Sequence, residues 1–191
     1  MTAVGTAIGL RKMDYDRIPQ VALLSSAFFV ASLVHVPAGP GVSAHLVLNG
    51  VTGIILGWAA FPAFLVALLL QAVLFHFGGL TALGVNTFNM AAPAVFCYYL
   101  CNAAARGRHA AAAGALAFLA GTLGIGLSGL LTSISLLSTG EAFRQAAWTF
   151  IICQTPVMVI EGFVAMGLVG FLRRTRPELL DVAAIREKAV A

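Results

Sequence analysis

The sequence predicts an all-α fold. It reads as a polytopic membrane helix bundle of six full transmembrane helices plus a truncated first one, with a cytoplasmic C-terminus. Three observations predict this. The 191 residues are 60% hydrophobic and only 9% charged, where a soluble domain carries about 25% charge. The apolar runs are continuous and rich in Ala, Leu and Gly, not alternating as in an outer-membrane barrel. The basic residues gather at alternate ends of those runs. A transmembrane helix takes roughly 20 apolar residues, so the chain has room for about six or seven spans and no sizeable soluble domain. Residues 1–191 therefore read as a single integral membrane domain.

Each span follows from an apolar run and its breakers. The first, residues 1–10, gives only "MTAVGTAIGL" before Arg11 and Lys12. At 1.5 Å per residue it covers about 15 Å, half of a 30 Å hydrocarbon core. A helix starting there would leave unpaired N–H groups in lipid, so the expectation is that residues precede Met1 in the native chain. The basic residues follow the apolar stretch, which is the wrong order for a signal peptide. The second span covers about Gln20 to Val36 and the third about His45 to Trp58. A tight turn follows, and Pro62 opens the fourth span, which ends near Phe77 before Gly78-Gly79. The fifth covers about Val85 to Ala105, and the sixth, Ala110 to Leu137, is one long tilted or bent crossing. The seventh runs from Phe143 to Leu172, and residues 173–191 form a cytoplasmic tail.

Charge sets the orientation. Arg11, Lys12, Arg17, Arg106, Arg108, Arg173, Arg174, Arg176, Arg186 and Lys188 fall on one side, and Arg144 alone on the other. The first side is cytoplasmic by the positive-inside rule. The net charge of +4 is thus explained by topology and does not imply nucleic acid. The segments 35–45, 76–86 and 138–143 fall on the outer face.

Several chemistries are excluded or unsupported. "GIGLSG" at 124–129 matches a dinucleotide fingerprint but sits mid-span with no preceding strand, so it reads as packing surface. The chain has no GxxxxGK[ST], so any ATP-driven step needs another subunit. Cys97 and Cys101 share a helix face at i, i+4 and Cys153 lies in another span; they read as packed thiols. Among small-xxx-small pairs, which let helix backbones approach, are Ala3/Ala7, Gly5/Gly9, Gly53/Gly57 and Ala27/Ala31. Ala27 and Ala31 are taken as a contact for a partner helix.

Polar groups inside spans are costly in lipid and candidates for function. Glu161 lies in the seventh span with Gln154 two turns before it on the same face. The bland reading is a structural hydrogen bond, because Glu161 falls towards the cytoplasmic half, away from the outer histidines. The outer face is denser. His35 and His45 bracket "HVPAGPGVSAH", and His76, Thr81, Asn86 and Asn89 lie in or beside "FHFGGLTALGVNTFNM". Three histidines on one face suggest a site, and imidazole suits Zn, Cu, Ni and Co. Glu141 is the one outer carboxylate and lies at the water boundary.

"HVPAGPGVSAHLVLNGVTGIILG", "LLQAVLFHFGGLTALGVNTFNMAAPA" and "TPVMVIEGFVAMGLV" together resemble the CbiM/NikM family. These are the cobalt- and nickel-binding substrate-capture subunits of energy-coupling-factor (ECF) transporters. The resemblance covers nearly the whole chain. It implies a metal held by a Met-His N-terminus and by a loop histidine before the third span. That histidine maps to His45. This chain begins Met1-Thr2, and no metal role passes to those residues. His35, His76, Asn86 and Asn89 are then expected to orient the ligand or lock the loops, because a ligating imidazole needs a partner on its other nitrogen.

The resemblance further implies a non-enzyme that takes Co2+ (or Ni2+) as transported substrate, with no permanent cofactor. It implies a transmembrane coupling subunit, cytoplasmic P-loop ATPases and a small accessory membrane subunit in a bacterial inner membrane, with cobalt destined for cobalamin synthesis. Nickel in place of cobalt, a structural membrane subunit without metal, and an intramembrane metalloenzyme are the alternatives.

Overall fold

A computed structural model describes the backbone of residues 1–33, 35–39, 42–45, 48–105 and 109–180. Side chains are described for 1–33, 48–100, 109–177 and 179–180. The described residues form seven helices and one short hairpin: α1 (Thr2–Lys12), α2 (Ile18–Leu33), β1 (His35–Gly39), β2 (Val42–His45), α3 (Asn49–Leu56), α4 (Ala60–Phe75), α5 (Leu83–Ala105), α6 (Ala110–Thr139) and α7 (Arg144–Thr175). Short 3-10 turns at Tyr15–Arg17, Gly57–Ala59, Glu141–Phe143 and Pro177–Leu180 join or end them.

Composition explains the elements. The apolar runs have nothing to pair with in lipid except their own backbone, which leaves the helix as the available spanning form. Among the described residues, three stretches are long and apolar enough to cross a membrane: Asn49–Phe75, Ala110–Thr139 and Glu141–Thr175. Large apolar side chains such as Val30, Phe96, Ile152, Phe163 and Phe171 point outward, as a lipid-facing surface requires. Proline falls where helices tolerate or bend: Pro62 in the first turn of α4, and Pro93 and Pro156 inside α5 and α7. An interior proline removes one ladder bond and kinks the helix.

Helices α6 and α7 pair along most of their length, and α5 packs on α6. Glycine permits the close approach: a Cβ on Gly121 would lie 2.5 Å from the Glu161 carbonyl oxygen. Helix α4 packs against α1, α2 and α5. Phe28 of α2 and Phe64 of α4 meet edge-to-face at 4.7 Å between centroids. The same two helices are tied by the Gln71 amide donating to the Ser32 hydroxyl.

The third span departs from expectation. It is not a helix from His45 to Trp58. Helix α3 has eight residues and, at 1.5 Å each, is about 12 Å long. It stops at Gly57, whose φ of +54° is left-handed and open to glycine at little cost. All eight of its residues are buried. It touches α5, α6 and α7, so it is the centre of the bundle. Glycine again makes the room: Gly53 lies on the Ala94 backbone of α5, and Gly50 on the Ala120 and Gly121 backbone of α6.

The segment expected as an outer turn is an antiparallel hairpin, with His35 opposite His45 and Val36 opposite Ala44. It packs against α7 and, through β2, against α2. An unpaired turn at this place would strand backbone N–H and C=O groups among apolar helices, whereas a hairpin pairs them internally.

Candidate functional site

The site is built where the hairpin hands over to α3. Leu48 makes the turn in a left-handed conformation, φ 55° and ψ 27°, a geometry that costs a branched residue about 1–2 kcal/mol. Its N–H donates to the Glu161 carboxylate at 2.6 Å. Glu161 is 1% exposed and sits near the middle of α7. A carboxylate at a helix N-terminus meets the positive end of the helix dipole, which favours it there. The bond therefore joins the start of α3 to the middle of α7.

The opposite end of α3 carries the opposite charge. The Arg17 guanidinium donates to the Ile55 carbonyl at 3.1 Å, one of the carbonyls a helix end leaves without an internal partner. Burial pulls Arg17 below its ordinary value, with Tyr98 and Asp14 opposing. Beside it Trp58 donates to the Tyr99 hydroxyl at 2.8 Å and lies under the Lys12 ammonium, 5.2 Å from the ring centre.

Around the Glu161 end, other buried polar groups stand out. Asn49, the first residue of α3, is fully buried. Among the described residues neither its Oδ1 nor its Nδ2 has a hydrogen-bond partner. The Gln154 Oε1, on a side chain 5% exposed, is likewise without one. Both amides lie along α6: a Cβ on Gly124 would meet Asn49, and one on Gly129 would meet Gln154. The 124–129 glycines are thus helix packing, as their mid-span place suggested.

The sequence-predicted residues divide as follows. The backbones of His35 and His45 are brought face to face by the hairpin; their side chains lie outside the described residues. Asn86 donates to the Gly78 carbonyl at 3.3 Å and so ties the 76–82 loop to α5. Asn89, 4% exposed, donates to the Ser135 hydroxyl at 3.2 Å between α5 and α6. His76 ends α4 with φ 57° and is exposed. Glu161 requires a correction. It was expected to lie away from the histidines, yet it holds the residue three positions after His45. The hairpin packs against α7, and Leu48 beyond it meets the carboxylate. Gln154 shares the buried face of α7 with Glu161. Ala27 is exposed and Ala31 half-buried on α2, whereas Gly5 and Gly9 pack inward on Phe61, Trp58 and Pro62.

Sequence reasoning missed Leu48, Asn49 and Arg17. Of the three, Asn49 carried a signal, as a carboxamide within an apolar run. Among the described residues no three His, Cys, Asp or Glu side chains converge. Glu141 is exposed and 3.8 Å from Arg144, an arrangement that suits a water boundary and not a buried acid.

The comparisons with known proteins fit this architecture. The profile described as "cobalt uptake substrate-specific transmembrane region" (CbiM) matches residues 1–179. A Haemophilus influenzae protein named for metal transport is 40% identical over 95% of this chain and 88% of its own length. The fused nickel transport protein NikMN of Rhodobacter capsulatus is 33% identical over 91% of this chain, which spans 56% of that longer protein. The cobalt transport protein CbiM of Sorangium cellulosum is 31% identical over 90% of this chain and 80% of its own. The crystal structure of a transition metal transporter shares the fold, with a TM-score of 0.66 at 20% identity over 91% of this chain and 83% of that one. A match across nearly all of the helices and the hairpin places this integral membrane protein in the CbiM family of cobalt and nickel transport.

Proposed function

We propose that the chain is the metal-recognition subunit of an ECF-type importer that captures Co2+ at the outer face of a bacterial inner membrane. The observation that supports this reading is the hairpin packed against α7. It sets a histidine-bearing segment beside the Leu48–Glu161 hydrogen bond at the start of α3. His45 is the metal ligand in this reading. Imidazole nitrogen suits Co2+ and Ni2+ and discriminates against Mg2+ and Ca2+, which prefer oxygen. His35 faces His45 across the hairpin, and His76, Asn86 and Asn89 hold the neighbouring loop and the α5–α6 seam.

The chain sits with Arg11, Lys12, Arg17 and the C-terminal tail in the cytoplasm, as six crossings and a shorter first one, with the third span carried by the short α3. The Arg17 end of α3 is then cytoplasmic and the hairpin enters from outside. A lone metal-capture subunit has no motor, so it works with a transmembrane coupling subunit, P-loop ATPases and a small accessory membrane subunit. The face of α2 that carries the exposed Ala27 and the half-buried Ala31 meets a partner helix. The captured cobalt feeds cobalamin synthesis. A nickel-specific subunit is the second reading, favoured by the NikMN relative at 33% identity.

The test is radiolabelled Co2+ and Ni2+ uptake in cells lacking their own importers, with the full-length chain and its coupling subunits. The reading expects uptake that His45→Ala abolishes. Equal uptake in that variant contradicts the ligand assignment, and the faster of the two metals decides between the readings.

A further inference from the structure

We propose that Glu161 is a positioning residue for metal capture. Its carboxylate fixes the start of α3 at Leu48, and with it the placement of the His45 backbone three residues earlier. The proposal rests on the reading of the hairpin as the metal-capturing element.

Four observations converge. First, Glu161 accepts the Leu48 N–H at 2.6 Å, and Leu48 is three residues from His45. Second, Leu48 holds a left-handed backbone, φ 55°, that a leucine abandons unless its surroundings impose it. Third, the anchor itself is tightly packed. Glu161 is 1% exposed, and its main chain abuts Gly121 so closely that a Cβ there would lie 2.5 Å from the Glu161 carbonyl oxygen. Fourth, α3 is seated sideways by Gly50 on the Ala120 backbone and held at its far end by Arg17. A short helix held by a cation at its C-terminus and an anion at its N-terminus has its dipole complemented at both ends. Of the two charges, only the carboxylate faces the hairpin.

Metal coordination demands ligand placement within about 0.5 Å. Releasing the Leu48 N–H lets the turn relax into an ordinary backbone and moves the histidine segment with it. The consequence is a weaker site on an intact bundle. A residue that merely supports the fold would lower stability and affinity together.

The experiment uses the full-length chain purified with its coupling subunits. Co2+ and Ni2+ dissociation constants are measured beside the metal-free unfolding midpoint. Glu161→Ala is expected to weaken binding about 10–100-fold, the usual loss when a group that orients a metal ligand is removed. Glu161→Gln keeps an acceptor oxygen without the charge and is expected to fold with a midpoint near wild type and to lose less affinity. Adding Leu48→Gly to Glu161→Gln is expected to recover part of the loss, because glycine takes the left-handed turn without strain. Wild-type affinity in both Glu161 variants, with binding lost in His45→Ala, overturns the positioning role alone. Affinity that falls only in step with the midpoint, and that Leu48→Gly leaves untouched, also overturns it. Wild-type affinity in His45→Ala overturns the reading of the hairpin and this proposal with it.

Discussion

Gly53 and Asn49 stand four residues apart in α3 and make opposite predictions. Gly53 faces the Ala94 backbone with no space for a methyl group. Gly53→Ala must therefore push α3 off α5 and is expected to cost about 1–3 kcal/mol, the usual penalty of overpacking. A lower unfolding midpoint in detergent would register it. Asn49 is buried yet makes no hydrogen bond to the described protein. Asn49→Ala is thus expected to spare the about 1–3 kcal/mol that stranding a buried partner costs. A midpoint that falls as far as that of Gly53→Ala would contradict the environment described for Asn49. At this scale the sequence was only partly legible. His45 and Glu161 drew notice separately, one as an outer ligand and one as a lone intramembrane acid. Their link runs through the Leu48 N–H, and a main-chain donor leaves no mark in a sequence.

Among the elements, α3 shows most clearly where hydropathy stops being informative. Residues 46–75 form an almost unbroken apolar run, which was read as two spans with a turn. An apolar run reports burial, and burial in lipid and burial inside the bundle look alike. The break at Gly57 was visible as a glycine, but the shortness of α3 was not. The hairpin was legible as a Pro/Gly-rich interruption, and its two histidines as its ends. Its position against α7 was not, because that depends on contacts more than a hundred residues away. Helices α5, α6 and α7, by contrast, lie close to their expected bounds, since each is a single long apolar run between polar breaks. The charge pairing of α3 predicts that Arg17→Ala loosens the half-helix from its other end. A hydrogen bond from a charged donor contributes about 1.5–3 kcal/mol when buried. Arg17 is only half-buried, so a loss of about 1 kcal/mol is expected. Arg17→Lys would recover little of it, because a compact ammonium does not reproduce the guanidinium fork. Unfolding midpoints of the two variants check this; a wild-type midpoint in Arg17→Ala would contradict it.

For the whole molecule, membrane class, helical content and family were all legible, since composition and long apolar runs are global properties. The surfaces are distributed as a transport subunit needs. The hairpin packs against α7 and α2, and the buried α3 lies among α5, α6 and α7, while the outer faces of the helices stay apolar. On α2, Ala27 is exposed and small. Ala27→Trp is expected to leave metal affinity unchanged and to reduce coupled uptake, which a filter assay beside a binding isotherm would separate. Equal uptake would remove α2 from the partner interface. The most direct test of the account is X-ray absorption at the cobalt edge, on the Co2+-loaded full chain with the proposed coupling subunits. The account predicts a nitrogen-rich shell with imidazole scattering, reduced by one imidazole in His45→Ala. An all-oxygen shell, or a spectrum that His45→Ala leaves unchanged, would contradict it.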